Sequence, residues 1–224
     1  AQVIMPDTPA PTPGSLQNRS VAFVTGSTSG LGEATAKALG ERGWHVIVHG
    51  RDVERGRSVA AEIEEGPGSA TFYAGDLASV EETARLAEAI SRDFRTLVVL
   101  VNNAGIGLAG DDGRRTSSDG YELSFHVNYL AGYQLTQALL PLLEASAPAR
   151  VVNVASVAQD EIDFDDPMLE RGYSGGRAYG QSKLAQILFT FDLAEELEGR
   201  GVSVNALHPA TLMDTQMVRE AGVR

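Results

Sequence analysis

From Ser20 almost to its end the chain alternates two kinds of segment, and this alternation limits the folds open to it more than any other feature. Short β-branched and apolar runs stand at Val21–Thr25, His45–Gly50, Ala70–Ala74, Leu97–Asn102, Arg150–Ala155 and Val202–Leu207. Between them lie longer stretches whose apolar residues recur three and four apart: Gly30–Arg42, Val53–Glu64, Val80–Arg92, Asp119–Glu144 and Ala178–Glu198. Ala84, Leu86, Ala87 and Ile90 trace one such stripe. Strands joined through helices pair in parallel, because a parallel connection needs a crossover, and the crossover has a preferred hand. The pattern predicts a doubly wound parallel sheet, covered by helices on both faces in three α/β/α layers.

Composition narrows the setting. The 224 residues, 43% apolar and 21% charged, suit one domain over 20–224 with a single sizeable core. Residues 1–19 hold four of the nine prolines and little apolar content, which predicts a flexible tail. A formal net charge of −12 disfavours nucleic acid and anionic lipid as partners. No cysteine is present, which excludes disulfides and thiolate chemistry, and the four scattered histidines form no metal-ligand set. The apolar runs are too short to cross a bilayer and the N-terminus has no secretory pattern, so a soluble, cytoplasmic protein is expected. Asp160–Asp166 reads as an acidic surface insertion before a helix.

After the first strand comes Thr25-Gly26-Ser27-Thr28-Ser29-Gly30-Leu31-Gly32, with a helix opening at Gly30. Small residues let backbone approach a pyrophosphate, and the helix start offers unpaired N–H groups to the anion. The plainer reading is a tight strand-to-helix turn. At the end of the second strand, His49-Gly50-Arg51-Asp52 puts a guanidinium where a base would hold a ribose 2′-phosphate, which favours NADP(H), with NAD(H) possible. In the competing reading Asp52 meets the ribose and Arg51 caps the following helix. Asp76-Leu77 and Asn102-Asn103-Ala104-Gly105 follow the third and fourth strands.

Tyr179 and Lys183 stand four apart, on one face of a helix. A phenol is a weak acid at neutral pH, and a neighbouring cation favours its ionised form. The chain holds only two lysines, Lys37 and Lys183, against sixteen arginines. Ser156 ends the fifth strand, where a hydroxyl can bond a substrate oxygen. Asn128 lies inside an apolar helical stretch, where a poor helix former needs solvent, a structural reason or a catalytic one. Taken singly, each of the four has an ordinary structural explanation; in this order, at the ends of these elements, they form a constellation.

These motifs resemble the short-chain dehydrogenase/reductase family, in its non-extended, Rossmann-type branch, over about Ser20 to Thr215. The spacing Gly-x3-Gly-x-Gly carries the likeness, together with Asn-Asn-Ala-Gly and Tyr-x3-Lys. The resemblance implies that Tyr179 is the general acid/base and that Lys183 assists it and bonds the nicotinamide ribose. It further implies that Ser156 orients the carbonyl and that Asn128 holds a relay water. Gly26 to Gly32, Arg51, Asp76, Leu77, Asn103, Ala104, Gly105 and the segment Pro209, Ala210 and Thr211 would contact the cofactor. Alanine at 210, where the family more often has glycine, restricts φ. The activity implied is hydride exchange between NADP(H) and a small-molecule carbonyl or alcohol, in a homodimer or homotetramer built through the two long helices.

Two features depart from the family. The 22 residues between Ser156 and Tyr179 are more than usual and similar to retinol-dehydrogenase-like members. The sequence also stops soon after the sixth strand, where the family generally continues through a substrate lid to a last strand, so either a truncated chain or an unusually open substrate side is expected. Leu108, Phe164 and Met213 hint at an apolar pocket. An inactive dinucleotide-sensing regulator is the competing reading, which the complete Asn-Ser-Tyr-Lys set opposes. A sugar-nucleotide epimerase would need a substrate domain for which there is no room.

Overall fold

The computed structural model describes Leu16, residues 19–107 and residues 113–209. Its six strands are β1 (Val21–Val24), β2 (His45–Gly50), β3 (Ser69–Ala74), β4 (Val99–Asn102), β5 (Ala149–Val154) and β6 (Val202–Leu207). They form one parallel sheet in the order β3-β2-β1-β4-β5-β6. Every residue of β1 and β2 is buried, as a parallel strand covered on both faces requires. The chain travels outward from β1 to β3 and then returns to the other side of β1, pairing Val24 with Val101 of β4. This reversal leaves a crevice beyond the carboxyl ends of β1 and β4, where open α/β sheets bind ligands.

Helices α1 (Gly30–Gly40), α2 (Val53–Glu64) and α3 (Val80–Asp93) fill the first half. In the second, α4 (Leu123–Phe125) runs through a π-helical turn (His126–Leu130) into α5 (Ala131–Ala145), and α6 (Gly175–Glu196) precedes β6. Two apolar cores flank the sheet. One joins Phe23, Ile47, Tyr73 and Leu100 to Leu86, Leu135, Leu139 and Leu193. The other packs Val24, Val46, Val48 and Phe72 against Ala36, Val59 and Ile63. Leu135, Leu139 and Leu143 repeat every four residues on α5 with no exposure, and burying each contributes about 1.5–3 kcal/mol.

Several boundaries differ from the sequence expectation, and four of the differences have a local reason. Strand β4 starts at Val99 because the Leu97 amide donates to Ser146 Oγ (2.8 Å) instead of joining the ladder. The helix expected from Asp119 starts at Leu123. Gly120 turns the chain with φ +86°, Asp119 accepts from the Val80 amide at the head of α3 (3.0 Å), and Glu122 caps the new helix through the Phe125 amide (2.7 Å). Helix α6 begins three residues early because Ser174 caps it. Of the segment expected as a tail, only Leu16 and Arg19 lie within the described residues. Leu16 packs against the core and the Arg19 guanidinium donates to the Pro67 carbonyl (2.9 Å), so the body begins before Ser20. Among the described residues no helix is long and apolar enough to cross a membrane.

Candidate functional site

The loop after β1 turns sharply at Gly26, whose φ of +62° suits glycine and whose Cα faces Ala104, so that a Cβ would come within 2.9 Å of the Ala104 Cα. At Gly32 a Cβ would collide with the Gly26 carbonyl and the Asn103 amide, so α1 sits directly on the loop. Ser29 heads α1 in an extended conformation, yet its side chain caps none of the first-turn N–H groups. Those of Gly30, Leu31 and Gly32 therefore have neither a helical acceptor nor a cap, an arrangement suited to an anion. Ser27 is fully buried: its hydroxyl donates to the Val24 carbonyl (2.8 Å) and accepts from the His49 amide (3.0 Å), and its own N–H donates to the His49 carbonyl. Ser27 thus braces the loop from inside, while Thr28 packs against Gly50 at the end of β2.

At that strand end the two competing side chains separate. Asp52 caps α2 by accepting from the Arg55 amide (3.1 Å), and Arg51 is exposed with no ion-pair or hydrogen-bond partner among the described residues. The helix cap is therefore the acid, not the arginine. Asp76 accepts from the Ala78 amide (3.0 Å) in the turn before α3, and Leu77 is buried in the core. The Asn103 side chain donates to the carbonyls of Thr25 (2.8 Å) and Gly26 (3.2 Å). Thr25 Oγ1 accepts in turn from the amides of Asn103 and Ala104. This ties the Asn-Asn-Ala-Gly segment to the glycine loop across the crevice.

Tyr179 and Lys183 lie on α6, with the Lys183 Nζ 5.9 Å from the centre of the Tyr179 ring. The ammonium is buried and donates to the Val154 carbonyl (2.7 Å) and to Gln186 Oε1 (3.2 Å). Burial pulls its pKa down from the ordinary lysine value to about 8. Asn128 sits on the π-helical turn, almost fully buried. Its Oδ1 accepts from the Ile106 amide (2.8 Å), and its Nδ2 donates to the Ile106 carbonyl (3.2 Å) and to Ser182 Oγ (3.0 Å). Ser182 passes the contact on to the Tyr179 carbonyl (2.7 Å). Gly105 lies beside both groups, since a Cβ there would be 3.2 Å from Asn128 Oδ1 and 3.8 Å from Lys183 Nζ. Ser156 is half-buried two residues past β5, and its hydroxyl accepts from the Ala158 amide (3.1 Å).

The segment between Ser156 and Tyr179 is fastened at both flanks. Gln181 donates to the Pro167 carbonyl (2.6 Å), Arg114 to the Met168 carbonyl (2.9 Å), and Asp160 lies against Gly180 so closely that a Cβ there would strike its carboxylate. Leu169 is fully buried at φ +49°. Phe164, expected to line a pocket, is 82% exposed. Leu108, Ala210, Thr211 and Met213 lie outside the described residues, while Pro209 is half-buried beyond β6.

The family model for short chain dehydrogenase matches residues 20–223. The chain belongs to the short-chain dehydrogenase family. It is 38% identical to human retinol dehydrogenase 12 over 207 residues, covering 91% of this chain and 64% of that protein. The chain thus spans less than two thirds of the length of such relatives. Among solved structures it resembles the Pseudomonas aeruginosa RhlG/NADP active-site complex (TM-score 0.74, 32% identity, 91% of this chain and 76% of that one). It also resembles a short-chain dehydrogenase from Sphingobium yanoikuyae in complex with NADPH (TM-score 0.76, 26% identity, 92% and 75%).

Around these family motifs the structure adds residues that sequence reasoning passed over. Gln186 holds the lysine, Ser182 links Asn128 to Tyr179, and Gln181 anchors the segment before α6. A buried chain also runs behind the site. Thr136 accepts from Asn102 (2.9 Å), Asn102 donates to Asn153 (2.8 Å), Asn153 to Thr190 (2.8 Å), and Thr190 to the Gln186 carbonyl (2.8 Å). One signal was available. Ser182, Gln186 and Thr190 recur every four residues with Lys183 three before Gln186, a polar stripe along one side of a helix otherwise rich in apolar residues, and all four are buried.

Proposed function

We propose that this chain is an NADP(H)-dependent oxidoreductase that interconverts a carbonyl and an alcohol, with Tyr179 as the proton carrier. The observation that carries the reading is the buried ammonium of Lys183, set beside the Tyr179 ring and next to Gly105 at the mouth of the sheet crevice. A buried cation is costly unless it has a task and hydrogen-bond partners. Here its charge stabilises the negative charge that develops on the Tyr179 oxygen as the proton leaves for the substrate.

The fit to a dinucleotide rests on the uncapped head of α1, the close approach at Gly26 and Gly32, and Arg51, which follows Gly50 and has no ion-pair or hydrogen-bond partner among the described residues. In this reading the N–H groups of Gly30, Leu31 and Gly32 hold the pyrophosphate and Arg51 holds the 2′-phosphate. Asp76, Leu77, Ala104, Gly105 and Pro209 border the remainder. Bound NADPH supplies the hydride. Ser156 orients the substrate oxygen toward Tyr179, and Asn128 fixes Ile106 and the helix start that frame the pocket. Two similar structures bear NADP or NADPH in their names, and the retinol dehydrogenases point to an apolar alcohol or aldehyde. Tyr133, Leu188 and Phe191 stand exposed on α5 and α6, which supports pairing of two copies through these helices.

The test is a fluorescence titration with NADPH and NADH, followed by a panel of ketones and aldehydes that includes retinaldehyde. Tighter NADPH binding with consumption on any member is expected. Tyr179→Phe then loses at least about 10²-fold in turnover, with NADPH affinity within a few-fold. Full activity in that variant overturns the assignment. Binding without consumption on any carbonyl favours a dinucleotide-sensing regulator.

A further inference from the structure

An ammonium has three N–H donors and no acceptor, so where the donors go decides which way the charge points. Two of the three on Lys183 are spent inside the protein, on the Val154 carbonyl at 2.7 Å and on Gln186 Oε1 at 3.2 Å. The third is left for the side bearing Tyr179 and Gly105. The two internal acceptors differ in kind. Val154 is the last residue of β5 and its carbonyl is fixed by the strand, whereas Gln186 presents a side-chain amide from the next turn of α6. Gln186 is only 3% exposed, and its backbone carbonyl accepts from Thr190, which is held by Asn153 of β5 and, through it, by Asn102 of β4.

We infer that Gln186 is a positioning residue: its side-chain oxygen, with the Val154 carbonyl, fixes the Lys183 ammonium so that one donor remains for Tyr179 and the bound cofactor. The inference rests on the proposed role of Tyr179 and Lys183 and adds to it the group that holds the lysine. No charged neighbour competes for that task. Burial lowers the lysine's pKa with no charged group contributing, and the Tyr179 ring and Gly105 lie beside the ammonium. A neutral acceptor oxygen favours the charged form against the burial that disfavours it.

The chain's two lysines make a direct test possible. With ¹³C,¹⁵N-labelled lysine, the Cε–Hε correlation spectrum of the full chain holds one signal from Lys37 and one from Lys183, and each is followed from pH 6 to 11. In the native protein Lys183 is expected to titrate near pH 8. Gln186→Met keeps the length and apolar stem but removes the oxygen, and the Lys183 midpoint falls by about one pH unit, the equivalent of one hydrogen bond to a charged group. Gln186→Glu moves it upward instead. Lys37, paired with Glu33 and Glu62 on the surface, stays in place and reports that each variant is folded. An unchanged Lys183 midpoint in folded Gln186→Met, or movement of both variants in one direction, overturns the inference. Neither readout needs turnover. If the native chain reduces no carbonyl, the proposed function fails while the role of Gln186 is still decided. If it does reduce one, the alkaline limb of the Gln186→Met rate profile moves down with the lysine, and a limb that stays in place also overturns the inference.

Discussion

The two halves of the sheet achieve precision by different means. Around β1 to β3 the parts are held by shape: α1 sits on the glycine loop at Gly32, and α2 meets β3 where the Phe72 ring occupies the space a Cβ at Gly56 would need. Around β4 to β6 the parts are held by buried hydrogen bonds, from Thr136 through Asn102, Asn153 and Thr190 to Gln186, with Lys183 bonded to that last residue's side chain. The first half needs backbone placed close to a ligand, and a missing side chain does this without polar atoms to satisfy. The second must keep a cation buried, and a cation requires oriented acceptors. Steric changes should therefore be worst in the first half and polar deletions worst in the second.

The largest expected effect is steric. Gly32→Val puts branched carbons onto the Gly26 backbone carbonyl and the Asn103 side-chain amide, which the Thr25 and Gly26 carbonyls hold in place. It should cost about 3 kcal/mol or more in urea unfolding and weaken NADPH binding at least about 100-fold. Near-native affinity in this variant would mean that the loop yields, and the contrast between the halves would lose its first term.

Polar deletion comes next. Asn153→Leu removes two buried hydrogen bonds, leaving the Asn102 amide with Thr136 alone and the Thr190 hydroxyl with the Gln186 carbonyl alone, and should cost about 2 kcal/mol. Asn102 Oδ1 already has no partner in its buried position. The double variant Asn102→Leu/Asn153→Leu removes that orphan too and should recover part of the loss, whereas additive losses would show that volume rather than hydrogen bonding matters there.

The same contrast explains what the sequence made legible. Strands and helices of both halves stand out because apolar runs and stripes report burial directly, and all six strands lie where the pattern places them to within a few residues. The glycine loop, Tyr179 and Lys183 are readable because their spacing carries their geometry. The polar chain is not readable in the same way. Asn102, Asn153 and Thr136 are far apart in sequence, and a buried Asn on a strand looks like an exposed one until the register pairs Asn102 with Asn153. The π-helical turn at Asn128 is hidden likewise, since Asn128 bonds both ways to Ile106, 22 residues earlier.

Acid probes a burial that both halves share. His45 and His49 on β2 are held neutral by burial, each pulled down to about 4, and His126 on the π-helical turn is lowered for the same reason, with both ring nitrogens unpartnered. The unfolded chain binds these protons near pH 6.5 and the folded chain does not, so stability is complete above about 6.5 and is lost as pH falls toward 4. At pH 5.5 the loss is about 1.4 kcal/mol for each of His45 and His49. Urea midpoints at pH 7.5, 6.5 and 5.5 measure it, and a flat profile would mean that the imidazoles find protons without unfolding.

The smallest effect separates two neighbours at the end of β2. Asp52 accepts from the Arg55 amide, so Asp52→Ala should cost about 1 kcal/mol of stability, the usual worth of a helix cap, and leave the ratio of NADPH to NADH affinity unchanged. Arg51 is exposed with no hydrogen-bond or ion-pair partner among the described residues, so Arg51→Ala should leave the urea midpoint in place and lower that ratio at least about tenfold, through loss of a charge-assisted contact. If Asp52→Ala shifts the ratio instead, the acid serves the ribose as well as the helix. The polar logic of the second half would then extend into the first, at the end of β2.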